Sequence, residues 1–248
     1  MIYDYPIFLF MASSSLFRFK EFSVSQDKCA MKVGTDGVLL GAWAEAREGK
    51  ILDIGTGTGL IALMLAQRTN TSFITGIEID SQAAVQAKEN VQASRWKDRL
   101  QIICQDIKLF SSQEQYDEII SNPPFYQHSP SSSSESRNIA RRTTPLFFEN
   151  MVSFVQTHLS SNGVFEVILP AEAAEDFIFL CWQHDLFIKR HTQVYTKEGK
   201  ASKRSLLSFT RTIQEKRASN LYIMDRSGQL TREYSGMVKD FYWDKDNF

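Results

Sequence analysis

Cysteine is scarce in this chain of 248 residues: there are three, Cys29, Cys104 and Cys181, with no Cys-x-x-Cys pair. An odd, scattered set argues against a disulfide framework and a cysteine-built zinc site, and for a reducing compartment. Net charge is almost absent too, 28 Lys and Arg standing against 29 Asp and Glu. Long apolar runs are missing, none reaching the ~18 residues of a membrane span. The short run at 6–11 has no preceding Lys or Arg and follows Asp4, so it does not read as a secretory signal. It reads instead as part of a loose leader over 1–16, with Met11 a candidate natural start. What remains is 43% hydrophobic and 23% charged, a globular composition that excludes a disordered or fibrous chain.

No internal repeat is visible, and low complexity is confined to the serine-rich piece at 129–136. Apolar, strand-like runs fall at 50–54, 73–78, 100–104, 117–121 and 164–169. Helical patterns lie at 60–68, 81–93 and 146–159. Alternating strands and helices predict a mostly parallel sheet with helices on both faces. Runs at 186–195 and 205–211, joined by a glycine-containing turn, predict an antiparallel hairpin closing the sheet edge. The tail reads as a strand from 221, a turn at 225–228 and a short helix at 233–242.

The first core strand ends in DIGTGTGL, with Asp53, Gly55, Gly57 and Gly59 opening directly into a helix. Glycines there permit positive φ and close approach of a ligand, and the helix N-terminus offers free N–H groups. The next strand ends in Glu78, which can accept the two hydroxyls of a ribose. A dinucleotide fingerprint would need its third glycine at position 60, where Leu60 stands. Asp53 would repel a pyrophosphate but suits an ammonium. S-adenosylmethionine carries an amine, a sulfonium and a ribose, and no phosphate. Asp106, closing the third strand, is placed to reach an adenine amine.

The fourth strand runs into Asn122-Pro123-Pro124-Phe125. Consecutive prolines freeze an extended turn, at the strand end where open α/β sheets bind ligands. An exocyclic amine is a poor nucleophile because its lone pair is delocalised into the base. Acceptors holding both N–H groups favour a tetrahedral nitrogen with its lone pair aimed at the methyl donor. The Asn122 side-chain oxygen and the Pro123 carbonyl are such acceptors, and Phe125 would stack on an extruded base. No strong general base is required.

Taken in order, DIGTGTG, EID, QDI and NPPF resemble class I S-adenosylmethionine-dependent amino-methyltransferases. Three further segments, at 17–43, 137–146 and the closing REYSGMVKDFYW, are similar to one branch, the bacterial tRNA(Val) adenine-N6 methyltransferases that modify adenine 37. The resemblance covers nearly the whole chain except the leader and the serine run. It implies a Rossmann-like methyltransferase fold with a mostly parallel seven-stranded sheet and an antiparallel C-terminal hairpin. It also implies a single domain over 17–248: a covering segment (17–49), a catalytic core (50–213) and a packing tail (214–248). Asp53, Gly55, Gly57 and Gly59 would surround the amino-acid end of the cofactor. Glu78 with Ile79 would meet the ribose, and Asp106 with Ile107 the adenine. Lys32, Gly34, Thr35 and Asp36 would fold over the cofactor, and Asn122 would touch both cofactor and base. One departure is Arg142, where the family pattern leads one to expect histidine.

Charge is segregated. Between 189 and 217 nine Lys and Arg face only Glu198 and Glu215, a surplus of seven on an otherwise acidic chain. With Arg137, Arg141 and Arg142 in a polar segment read as a flexible lid (126–145), Lys197, Lys200, Lys203 and Arg204 would contact RNA phosphates. The alternative is a solvated hairpin and a solvated loop. The four histidines show no metal-ligand spacing, so no metal is expected; nor is a membrane or an obligatory protein partner, and the expected location is the cytoplasm. Two rival functions stay open at this level. One is the same chemistry on guanine N2 of ribosomal RNA, adenine in DNA or a protein glutamine; the other is a cofactor-binding RNA-docking protein without catalysis. The absence of a separate target-recognition domain weighs against DNA, and the basic patches weigh against protein.

Overall fold

The computed structural model describes residues 15–29, 31–124 and 134–243, with 134–145 described by backbone alone. Most of the leader, Phe125, and the side chains of Arg137, Arg141 and Arg142 therefore lie outside the described residues.

A small antiparallel ribbon, β1 (Leu16–Arg18) with β2 (Ser23–Ser25), precedes helix α1 (Thr35–Trp43). The alternating core follows: β3 (Lys50–Ile54), α2 (Leu60–Arg68), β4 (Phe73–Glu78), α3 (Ser81–Gln92), β5 (Leu100–Cys104) and β6 (Tyr116–Ser121). Then come α4 (Ser134–His158), β7 (Leu159–Pro170), α5 (Ala174–Gln183), β8 (Phe187–Lys197), β9 (Arg204–Thr210), β10 (Arg217–Met224) and α6 (Arg232–Val238). The main sheet runs in the order β10-β8-β9-β7-β6-β3-β4-β5, and β9 alone is antiparallel to its neighbours.

Strand periodicity explains the two-sided packing. Successive side chains leave a strand on opposite faces, and both faces here are apolar, as helix-covered parallel sheets require. Ile51, Ile74, Ile120, Ile168 and Leu206 join a core under α1, α2, α3 and α6. Leu52, Ile77, Ile119, Val167 and Leu207 join a second core under α4 and α5. Helix starts use local caps: the Asp80 carboxylate accepts from the Ala83 N–H at 2.8 Å, and Thr231 from Tyr234 at 3.2 Å. No helix among the described residues is long and apolar enough to cross a membrane.

The Rossmann-like α/β class is as expected, with three differences in detail. The sheet has eight strands rather than seven, and the β8–β9 hairpin does not close it, because β10 pairs parallel to β8 from Arg217 onward. The first half of β10 is polar and exposed, as an edge strand tolerates, so it carries no apolar signature. The segment expected as a loop over 126–145 is helical from Ser134 on. Pro145 argued for a helix starting after it, yet the helix-favouring run around Glu135, Arg137, Ala140 and Arg141 extends α4 upstream by more than three turns, to Ser134. Residues 125–133 of that expected lid lie outside the described residues.

Candidate active site

The carboxyl ends of four parallel strands are brought level by register, Ile54 lying opposite both Ile77 and Ser121, and Glu78 opposite Cys104. The turn leaving β3 takes positive φ at Gly55 (72°), Gly57 (57°) and Gly59 (82°), values an L side chain rarely adopts. The Gly55 and Thr56 N–H groups donate to the Ile77 carbonyl at 2.8 and 3.0 Å, tying the turn to β4. Gly59 begins α2 without a side-chain cap.

Two cavities open along this edge. The larger, about 560 Å³, is walled by 31–37, the Gly55–Thr58 turn, Leu60, Asn122 and Pro123. Its far wall comes from Val194, Thr196, Lys203, Arg204 and Ile223. The smaller, about 250 Å³, is lined by Ile79, Asp106, Ile107, Lys108, Pro124, Leu146 and Phe147, among others. Gly55 borders both, and a Cβ built on it would meet no atom within 4 Å. A side chain there would stand in open space where the two cavities border each other.

The expected cofactor residues divide accordingly. Lys32, Gly34, Thr35, Asp36, Gly55, Gly57 and Asn122 line the first cavity; Ile79, Asp106 and Ile107 line the second. Asp53, Gly59 and Glu78 line neither. Asp53 is fully buried beneath the turn, accepting from the Thr56 hydroxyl at 2.6 Å, while its Oδ1 makes no hydrogen bond of normal length among the described residues. Burial pushes it up to about 7; the Thr56 hydrogen bond opposes this and the charge of Glu78 adds to it. Glu78 accepts from the Gly57 N–H at 2.8 Å and the Asp80 N–H at 2.9 Å, so it shapes the turn directly. Each of its oxygens keeps a second lone pair. Gly59 packs against Ala87 of α3.

Asn122 leaves β6 at the wall of the first cavity. Among the described residues its side-chain amide makes no hydrogen bond, and neither do the hydroxyls of Thr35 and Thr196. Pro123 borders the first cavity and Pro124 the second. Because β8 runs parallel to β7, the 197–203 turn projects from the same edge as the glycine turn. Lys203 and Arg204 reach the cavity wall; Lys197 and Lys200 bound the turn and do not.

A family model for the methyltransferase small domain matches residues 29–172, more than half of the chain. A curated tRNA1(Val) (adenine(37)-N6)-methyltransferase of Bacteroides fragilis is 43% identical over 234 residues, covering 93% of this chain and 98% of its own. Its counterpart in Histophilus somni is 41% identical, covering 94% and 99%. This chain belongs to the tRNA1(Val) (adenine(37)-N6)-methyltransferase family. Among solved structures, one described as a predicted O-methyltransferase of Agrobacterium tumefaciens superposes with a TM-score of 0.66 at 17% identity. The match covers 84% of this chain and 98% of that one. A glycopeptide N-methyltransferase in complex with S-adenosylmethionine gives 0.56 at 12%, covering 73% and 90%. These two show the fold.

The family is S-adenosylmethionine-dependent, and the residues present fit that cofactor. The paired cavities, both bordered by Gly55, suit an elongated, bipartite ligand. The donor set is also apt: Asp36 and Asp106 on the cavity walls and uncapped backbone N–H groups at the glycine turn. No cluster of three His, Cys, Asp or Glu that could hold a metal occurs among the described residues. Sequence reasoning missed Thr56, Leu146, Phe147, Val194, Thr196 and Ile223. Of these, Thr56 alone had a local signal, as the residue inside the glycine turn. The rest reach the site through tertiary folding of α4, β8 and β10.

Proposed function

We infer that this chain transfers a methyl group from S-adenosylmethionine to the exocyclic N6 of an adenine in tRNA, adenine 37 of tRNA1(Val) being the target. The observation that carries this reading is the Asn122 amide, without a hydrogen-bond partner among the described residues and held at a proline-rigid strand end between the glycine turn and an open cavity. Asn122 and the Pro123 carbonyl accept the two N–H groups of the adenine amine and orient its lone pair. Pro124 keeps this turn extended, and Phe125 stacks on the base. The cofactor, when bound, supplies an electrophilic methyl on a sulfonium, so the chain need not activate it. Gly55, Gly57 and the 32–36 segment hold its amino-acid end, with Asp53 and Gly59 shaping the turn from beneath. Glu78 orders the turn and accepts from the ribose, and Ile79, Asp106 and Ile107 hold the adenine. Excess positive charge at Lys197, Lys200 and Lys203, with Arg137, Arg141 and Arg142, supports contact with RNA phosphates. A tRNA substrate supports a cytoplasmic location.

The test is nucleoside mass spectrometry on tRNA from cells lacking the protein, after incubation with pure enzyme and S-adenosylmethionine. New N6-methyladenosine mapped beside the valine anticodon is the expected result. Methylation of ribosomal RNA, DNA or protein with tRNA untouched would overturn the substrate and keep the amine chemistry.

A further inference from the structure

We propose that Arg204 is a positioning residue: paired with Asp36, it fixes the first turn of α1 against Asn122 and so sets the shape of the target-base pocket. This rests on the methyl-transfer reading above and assigns Arg204 a role other than a phosphate contact.

Arg204 is the first residue of β9, and Asp36 lies in the first turn of α1, 168 residues away. The Arg204 Nε donates to Asp36 Oδ2 at 2.8 Å, and Nη1 donates to the Lys203 carbonyl at 3.0 Å. The Arg204 side chain is only 18% exposed and that of Asp36 32%, so the guanidinium is turned inward rather than presented to a polyanion. Both residues border the first cavity. The pair therefore joins the N-terminal segment to the C-terminal hairpin across the cavity wall.

The next residue, Gly37, carries the effect to the reaction centre. A Cβ built there would stand 3.9 Å from the Asn122 Nδ2 and 3.0 Å from the Leu60 Cδ2. The backbone of α1 thus sits directly beside the Asn122 amide. Packing holds the buried face of this helix from Gly37 on, but polar ties at its start are few: Gly34 supplies no side-chain cap, and the first helical hydrogen bond, Val38 N–H to the Gly34 carbonyl, is long at 3.3 Å. Displacement of this turn by a fraction of an ångström would change the space in which the adenine amine meets Asn122. Transfer rates are steeply sensitive to such misplacement.

The experiment compares wild type, Asp36→Asn, Arg204→Gln, the double variant and Arg204→Lys. Single-turnover methyl transfer is measured at saturating cofactor and tRNA, with tRNA affinity across a salt series and cofactor affinity by calorimetry. Each single substitution is expected to slow transfer about tenfold, and the double variant no further than either single, the mark of one shared interaction. Tight tRNA binding and its salt slope stay near wild type, and Arg204→Lys recovers most of the rate. A salt slope shallower by about one unit in Arg204→Gln, with normal transfer in Asp36→Asn, would make Arg204 a phosphate contact and overturn the proposal. Multiplicative losses in the double variant, or no loss in either single, would also overturn it. Asp36→Asn is nearly isosteric, so it decides the matter even where Arg204→Gln fails to fold. If wild type leaves tRNA unmethylated, the substrate reading fails on its own, and the same variants are compared on the nucleic acid that wild type does methylate.

Discussion

The interior of the central sheet and its carboxyl edge hold similar polar groups in opposite conditions. Within the sheet, Glu118 on β6 and Glu166 on β7 are fully buried, yet most of their oxygens are engaged. Glu118 accepts from the Arg47 N–H at 2.7 Å; Glu166 accepts from the Glu45 N–H at 3.0 Å and the Arg190 guanidinium at 2.7 Å. Arg190 also lies over the Trp43 ring at 3.8 Å, and Lys189 donates to Glu45 at 2.6 Å. At the carboxyl ends, the Asn122 amide, the Thr35 and Thr196 hydroxyls and the start of α2 face cavities instead of one another. Buried polar groups need partners. Where the fold supplies them they hold strands and loops together, and where it does not, a ligand can.

This contrast can be broken first at Asn122. Asn122→Ala should lower methyl transfer by about 10²–10³-fold, the scale of losing one aligned polar contact to the reacting group. Cofactor affinity, read by calorimetry, should stay within about threefold; a near-normal transfer rate would remove Asn122 from the chemistry. Next is Gly55→Val, which places a β-branched side chain at a φ of 72° and at the border of both cavities. Cofactor binding should weaken about tenfold or more, beyond a backbone strain of about 1–2 kcal/mol; unchanged affinity would mean the ligand does not cross Gly55. Smaller is the effect of reversing Lys200 and Lys203 to Glu. Affinity for tRNA should fall about tenfold at 0.1 M salt with a shallower salt dependence, and cofactor affinity should not move.

The smallest expected effect on methyl transfer lies with the engaged carboxylates within the sheet. Burial, and then the charge of Glu166, push Glu118 up to about 8. Its folded value lies above that of an unfolded glutamate, so its contribution to stability is complete below about pH 4.5 and is lost as pH rises through about 8. A permanently neutral Glu118→Gln variant should gain on wild type across that window, read as a difference in unfolding free energy that is larger at pH 8.5 than at pH 5. One proton could contribute at most about 1.4 kcal/mol per pH unit. Equal unfolding curves at pH 5 and pH 8.5 would show that Glu118 is not held protonated.

Legibility in the sequence follows the range of the interactions. Strands β3, β4 and β5 and helix α2 were readable to the residue, because apolar periodicity and flanking turns are local. The glycine turn, the acidic strand ends and the NPPF turn were readable for the same reason. The basic hairpin misled in part: Lys189, Arg190 and Arg204 turn inward to Glu45, Glu166 and Asp36, so its outward charge is smaller than the count implied. Their acidic partners lie 24 to 168 residues away, and nothing in either local sequence announces them. The cavity wall from β8 and β10 was invisible for the same reason, and the polar, exposed start of β10 concealed residues 217–220 of that strand and its place in the sheet.

The most direct test of the carboxyl edge as a methyl-transfer site is a crystal structure with S-adenosylhomocysteine and adenosine monophosphate. The account predicts one ligand spanning both cavities past Gly55, its adenine beside Asp106 and its sulfur toward Asn122. It places the second adenine in the larger cavity, its amine within hydrogen-bond reach of the Asn122 oxygen and the Pro123 carbonyl. Cofactor confined to one cavity, or a nucleotide amine turned away from Asn122, would contradict it.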